Sequence, residues 1–232
     1  MSARACVLAL ALAAAGCATT SADPRDPLEG VNRAVFAFND KTDEMVLRPA
    51  ARLYRNVTPQ GLRDAVRNFF SNIDDLFIGA NNLLQGKLET AVNDWLRFAF
   101  NTTFGLLGIH DWASDMGLEK HNEDFGQTLG SWGVGDGMYL VLPLLGPSTL
   151  RDTAALPVDW EGDPVYWHTP VDERNALTVM RTVARRADLL AASRTLEEAA
   201  LDRYVFLREA YLQQRRSQIH DGRPPRERPP AD

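Results

Sequence analysis

Two stretches of this sequence are almost free of charge, yet neither can cross a bilayer. In residues 95–109, WLRFAFNTTFGLLGI, Arg97 is the only charge. In residues 129–147, LGSWGVGDGMYLVLPLLGP, the only charge is Asp136, and five glycines and Pro143 break the run. A spanning helix needs roughly 20 continuous apolar residues. Phe98 and Phe100 point to different sides of a helix, so the first stretch is apolar on more than one face. Such a segment is buried all round, lines a cavity, or meets lipid without spanning it.

The N-terminus places the chain near a membrane by another route. Arg4 precedes an uncharged Ala/Leu-rich run over residues 5–15, long enough for a signal-peptide core and too short to span. Ala14, Ala15 and Gly16 lead into Cys17, a pattern that resembles the lipobox of bacterial lipoproteins, with Ala14 where leucine is commonest. Both cysteines of the chain, Cys6 and Cys17, lie in this region. A body without cysteine has no disulfide and no thiolate metal site, so a lone thiol after cleavage points to Cys17 as the lipidated residue. The organisation expected is a signal peptide over 1–16, a lipidated tether over 17–25, a helical domain over 26–219 and a disordered Pro-rich tail over 220–232. Ala18, where an aspartate favours inner-membrane retention in such lipoproteins, implies the outer membrane.

The net charge is −6, and removal of residues 1–16 takes away Arg4. That balance disfavours nucleic acid and a polybasic membrane patch. Membrane contact would be mainly apolar.

Helix signals cover most of the body, and no extended stretch of alternating polarity appears, so the class is all-α. Asp26-Pro27-Leu28-Glu29 has the form of a helix start with a capping box, followed by Val31, Ala34, Val35 and Phe38 at helical spacing. Pro49 should end or kink that unit. Thr58-Pro59 should open a second helix and residues 73–84 a third, closed by Gly86. In a fourth, from about Lys87, the residues Leu88, Ala91, Val92, Trp95, Leu96 and Ala99 fall in register on one stripe. Asn122 and Asp172 are candidate caps for later helices, the second carrying Leu177, Met180, Ala184 and Ala187 inward. A long last helix is expected over residues 196–218.

Catalytic signals are weak. Gly133, Gly135 and Gly137 lack the spacing and context of a dinucleotide loop, and neither a G-x-S-x-G elbow nor an H-E-x-x-H motif is present. A hydrolase could draw on His110 or His121 with Ser131 or Ser148, but Asn122, Glu123 and Asp124 read better as helix-start residues. No catalytic residue, metal site or cofactor is assigned.

Several stretches resemble the MlaA (VacJ) family: DPLEGVNRAVFAF with Asn39 near the start, then FNTTFGLLG, FGQTLGSWGVG, YLVLPLL, GPSTLRD and, near the end, REAYLQQR. They run in family order through nearly all of the mature chain. The resemblance implies an outer-membrane lipoprotein, all-helical and ring-like, embedded in one leaflet with short irregular Gly/Pro-rich segments. It implies a central amphipathic channel that removes stray phospholipid from the outer leaflet and passes it to the periplasmic carrier MlaC. It also implies association with a trimeric porin and no covalent chemistry. On that reading Phe38, Asn39, Tyr139, Leu140 and Leu142 are candidates for the channel lining, and Gly133, Gly135 and Gly137 for a gating element. Ordinary packing is the alternative role for each. The tryptophans at 95, 112, 132, 160 and 167 are candidate interfacial anchors or core residues. The competing function is a porin-associated envelope scaffold that moves no lipid.

Overall fold

The computed structural model describes residues 23–225, so the leader, Cys17 and the end of the Pro-rich tail lie outside the described residues. Helix α1 (Glu29–Thr42) passes through a π-turn (Asp43–Leu47) into α2 (Arg48–Val57). Pro49 falls in the first turn of α2, which continues directly from the π-turn, so its missing N–H leaves one upstream carbonyl without its helical donor. The irregularity expected at Pro49 is therefore taken up just upstream, in the π-turn.

Helix α3 (Gln60–Leu84) is unbroken and joins what the sequence divided into two helices. Asn72, near the expected boundary, does not cap a new helix; its Nδ2 donates across to Thr102 Oγ1 at 2.9 Å. A short turn with Gly86 at φ +79° leads into α4 (Leu88–Thr103), which packs back on α3. Their close approach depends on Gly79, where a Cβ would lie 2.5 Å from the Trp95 ring. The Trp95 indole N–H donates to Leu76 O at 3.2 Å over that gap.

Next come α5 (Trp112–Asp115) and α6 (Phe125–Ser131), whose cap is Asp124 and not Asn122. A hairpin of β1 (Tyr139–Leu142) and β2 (Gly146–Thr149) follows, antiparallel with Tyr139 opposite Thr149. It is too short for a period-two pattern to register in the sequence. Thr149 caps α7 (Leu150–Gly162), and a 3-10 turn (Pro164–Trp167) leads to α8 (Val171–Asp188). There Pro170 holds the cap position and Asp172 lies in the first turn. Ala184 and Ala187 are buried as expected, whereas Met180 is 37% exposed. The long last helix is two, α9 (Leu190–Ala199) and α10 (Arg203–Ile219), because Asp202 breaks the run and caps α10 through Tyr204 N and Val205 N.

The expected Asp26 cap is also corrected. Helix α1 has Leu28 at its cap position with no side-chain bond. The Asp26 carboxylate is instead fully buried and accepts from Asn32 Nδ2 (2.8 Å), Tyr204 OH (2.5 Å) and Arg208 Nη1 (3.0 Å). It ties the first helix to the last.

Among the described residues, 17 polar or charged residues are buried against 13 apolar ones. Charged residues are almost never fully buried unless paired. Two small apolar clusters form within the interior, Tyr139, Val141 and Tyr204 in one and Ala51, Ala187 and Leu190 in the other.

Candidate functional site

Helix α4 shows the molecule's polarity. Its buried positions are Ala91, Asp94, Arg97 and Asn101, on one helical face. The apolar stripe points outward: Leu88 is 62% exposed, Val92 43%, Trp95 36% and Leu96 42%. Ala91 alone of the key stripe residues is enclosed. The periodicity read from the sequence is present, and its apolar side faces away from the interior.

A hydrogen-bonded seam makes that burial possible. Arg97 is 1% exposed, donates from Nη2 to both Asp111 oxygens at 3.0 and 2.9 Å, and donates from Nη1 to Leu118 O at 2.5 Å. Its Nε lies 3.5 Å from Asp75 Oδ2. Burial would raise the Asp111 carboxyl, but Ser114, Asn101 and Arg97 donate to it and hold it down at about 2. At Asp75 burial wins and pushes the carboxyl up to about 6, against the pull of Lys120 and Arg97. Asp94 accepts from Asn82 Nδ2 at 2.7 Å and meets His121 Nδ1 at 2.8 Å. His121 thus belongs to this seam. Ser131 donates to Thr128 O, and Ser148 shares a hydrogen bond with Thr153.

Beyond α4 the apolar surface continues through Phe104, Leu106, Leu107, Ile109 and Trp112, each at least 45% exposed. Trp132, Trp160 and Trp167 are also exposed. Outward apolar side chains over a charged interior suit a protein in contact with lipid. No described helix is long and apolar enough to cross a membrane.

Around the hairpin the chain forms a concave site. Asn32 and Asn39, seven residues apart on α1, act as a surrogate strand along β1. Asn32 donates to Tyr139 O at 3.0 Å and accepts from Val141 N at 2.9 Å. Asn39 donates to Leu142 O at 2.9 Å and accepts from Leu144 N at 2.8 Å. The hairpin is thereby held over α1, and a groove of about 480 Å³ opens between it, α1, α9 and the start of α10. Its apolar wall is Phe36, Leu47, Val141, Leu144, Leu145, Pro147, Leu189, Ala192, Leu196 and Leu207. Its polar wall is a chain of ion pairs: Asp43 with Arg186 (2.6 Å) and Arg48 (3.3 Å), Arg48 with Glu197 (2.6 Å), and Arg203 with Asp40 (2.8 Å). Burial works to raise the Asp43 carboxyl, but Arg186 and Arg48 bring it below its ordinary value.

A smaller cavity of about 260 Å³ on the other side of the hairpin is lined by Leu142, Leu145, Leu156, Asp159, Tyr211 and Arg215 among others. There Arg215 bridges Asp124 (2.6 Å) and Asp152 (2.9 Å), and burial is outweighed at Asp152, whose carboxyl sits at about 2. Among the described residues Asp159 has only the Phe125 N–H as a direct donor, and burial beside Asp124 and Asp152 pushes it up to about 6. The folded protein therefore holds the Asp159 proton more tightly than the unfolded chain does. That contribution is complete below the unfolded value near 3.8 and is lost as pH rises through about 6. Asp159→Asn should remove about 2 kcal/mol of the stability difference between about pH 4 and about pH 7.5. Denaturant melts of both proteins at the two pH values measure it; equal pH dependence in the variant would refute the assignment.

Of the candidate residues named from sequence, Asn39 lines the groove and Leu142 the smaller cavity. Phe38 is 54% exposed on α1, and Leu140 is partly buried on β1. Tyr139 is 1% exposed, packed edge-on against Tyr204 and Tyr211. Gly133 and Gly137 adopt φ of +91° and +69°, turn conformations that glycine accepts without strain. Gly135 has open space around it. The loop they form is pinned by Arg151, which donates to Asp136 Oδ1 at 2.5 Å. Sequence reasoning missed Arg48, Arg186, Leu189, Ala192, Leu196 and Glu197. The one local signal for the groove was Asn32 and Asn39 at heptad spacing on an otherwise mixed helix.

A family model for the MlaA lipoprotein matches residues 24–218. The chain belongs to the MlaA lipoprotein family. The intermembrane phospholipid transport system lipoprotein MlaA of Escherichia coli K12 is 34% identical over 205 residues, covering 85% of this chain and 81% of that protein. The protein of the same name from Haemophilus influenzae is 34% identical over 223 residues, with 92% and 88% covered. An uncharacterized Rickettsia bellii protein is 34% identical over 195 residues, with 84% and 76% covered. A solved structure from work on the structural basis for maintenance of bacterial outer membrane lipid asymmetry is 34% identical. It superposes with a TM-score of 0.73 over 82% of this chain and 96% of that chain. The predominantly helical MlaA-type fold is thus shared.

Proposed function

We propose that this chain removes misplaced phospholipid from the outer leaflet of an outer membrane and delivers it toward the periplasm. The reading rests above all on one observation: α4 turns Leu88, Val92, Trp95 and Leu96 outward while burying Asp94 and Arg97. Lipid tails offer no hydrogen bonds, so a domain seated in one leaflet keeps its polar groups inside and its apolar groups outside. The relatives named for intermembrane phospholipid transport support it. In this reading Cys17 carries the acyl anchor, the ring-like domain lies in the inner leaflet, and lipid passes the hairpin groove, whose wall Asn39 holds, with Leu142 lining the smaller cavity on the other side. MlaC receives the lipid and a trimeric porin holds the domain in place. No covalent step is involved.

Phospholipid exposed at the cell surface tests the proposal. A reagent that modifies only outer-leaflet phospholipid should report a rise in cells lacking the protein and a return to the parental level on complementation. A flat signal, with the protein present in the outer membrane, would favour the porin-bound scaffold that moves no lipid.

A further inference from the structure

Beside the apolar groove lies a second and larger concavity of different chemistry, about 870 Å³ between α2 and α9. Five guanidiniums line it, those of Arg48, Arg52, Arg55, Arg186 and Arg194, and Glu197 is the one carboxylate among its lining residues. This concentration of positive charge is out of keeping with a chain of net charge −6. Arg48 and Arg186 are held in place by Asp43 and Glu197. Among the described residues, Arg52 and Arg55 form no ion pair. The two concavities share a wall, since Arg48, Arg186, Ser193 and Glu197 line both.

Helix α2 adds an independent observation. Arg48, Arg52 and Arg55 fall at i, i+4 and i+7 and form one stripe. Leu53 and Val57 form the neighbouring stripe, 63% and 68% exposed. Ala51 is fully buried against Ala187 and Leu190 on the remaining side. An exposed apolar stripe next to an arginine stripe is the pattern of a helix lying at a membrane interface, with its guanidiniums at headgroup level.

Building on the lipid-transport reading, we propose that the arginine cleft binds the phosphate of an anionic phospholipid headgroup while the adjoining groove takes its acyl chains. Guanidinium suits this role because its planar donors match phosphate oxygens in pairs. A zwitterionic headgroup would bring an ammonium into a cleft already rich in positive charge. A phosphatidylglycerol headgroup carries the phosphate charge without that opposing group, so it is the favoured occupant.

The test uses the mature, lipid-anchored protein in nanodiscs holding equal amounts of phosphatidylglycerol and phosphatidylethanolamine. Native mass spectrometry then counts the lipids retained by headgroup. Phosphatidylglycerol should be enriched about tenfold, the scale of one charge-assisted contact. The R52Q/R55Q protein, altered only at exposed side chains, should retain the two lipids equally while its melting temperature is unchanged. Equal retention by the native protein, or a preference that survives R52Q/R55Q, would overturn the proposal. So would displacement of phosphatidylglycerol by inorganic phosphate alone, which would mark the cleft as a free-anion site. Surface phospholipid in cells is read separately. Normal retention without any lipid clearance would sink the transport reading and leave the headgroup site standing.

Discussion

Replacing Arg97 with alanine should destabilise the domain by about 3–5 kcal/mol, the cost of removing one member of a buried ion network. The lost bonds are only part of that figure. Asp75 and Asp111 lie against Arg97, and Asp75 is itself fully buried. Without the guanidinium, Asp75 keeps Lys120 but loses its second cation, and Leu118 O loses its Nη1 donor. Thermal melts of the detergent-solubilised protein, followed by far-ultraviolet circular dichroism, should show an early transition. Two companions make the result specific. Leu96→Ala, one residue away but outward-facing, should change stability by no more than about 0.5 kcal/mol in the same detergent. Adding Asp75→Asn to Arg97→Ala should recover part of the loss, because the neutral amide needs no cation. If Leu96→Ala cost as much as Arg97→Ala, the inward-polar arrangement of α4 would be wrong.

That contrast also marks where sequence reasoning reached its limit. The stripe Leu88, Val92, Trp95 and Leu96 was legible as a helix face from spacing alone. Spacing says which residues share a face; it does not say whether water or lipid lies beyond it. An inward assignment would suit a helix bathed in water, and this stripe faces outward. Arg97, the one charge in its stretch, was the available clue, since a lone charge on an apolar helix must either face a partner or not be buried. Its partner Asp111 comes from the segment after the helix.

Other gains and losses have equally local causes. The starts of α3 and α4 were readable because Pro59 and Gly86 act on their own neighbours. The role of Asp26 was not, because its partners Tyr204 and Arg208 lie at the far end of the chain. A motif such as Asp-Pro-Leu-Glu reports local capping chemistry and is silent on tertiary demand. The groove was hidden for the same reason. Asn39, Leu144 and Ala192 come from three separate regions of the chain, and each looks ordinary in its own helix or turn.

The groove yields the largest functional effect. Ala192→Trp should raise surface phospholipid to the level of cells lacking the protein, with the protein still folded and anchored. Ala192 sits on the exposed side of α9, so an indole there strains no packed core. It projects toward a space of about 480 Å³ whose opposite wall is the turn of the hairpin, Leu144 to Pro147. An acyl chain and an indole compete for the same apolar volume. Alanine to serine at the same position leaves that volume open and should preserve clearance. The hairpin turn is fastened by Asn39 through Leu142 O and Leu144 N, so it does not simply swing away from the added bulk. Freeing it with Asn39→Ala in the Ala192→Trp background should restore part of the clearance. Full clearance by Ala192→Trp alone would place the lipid route elsewhere in the molecule.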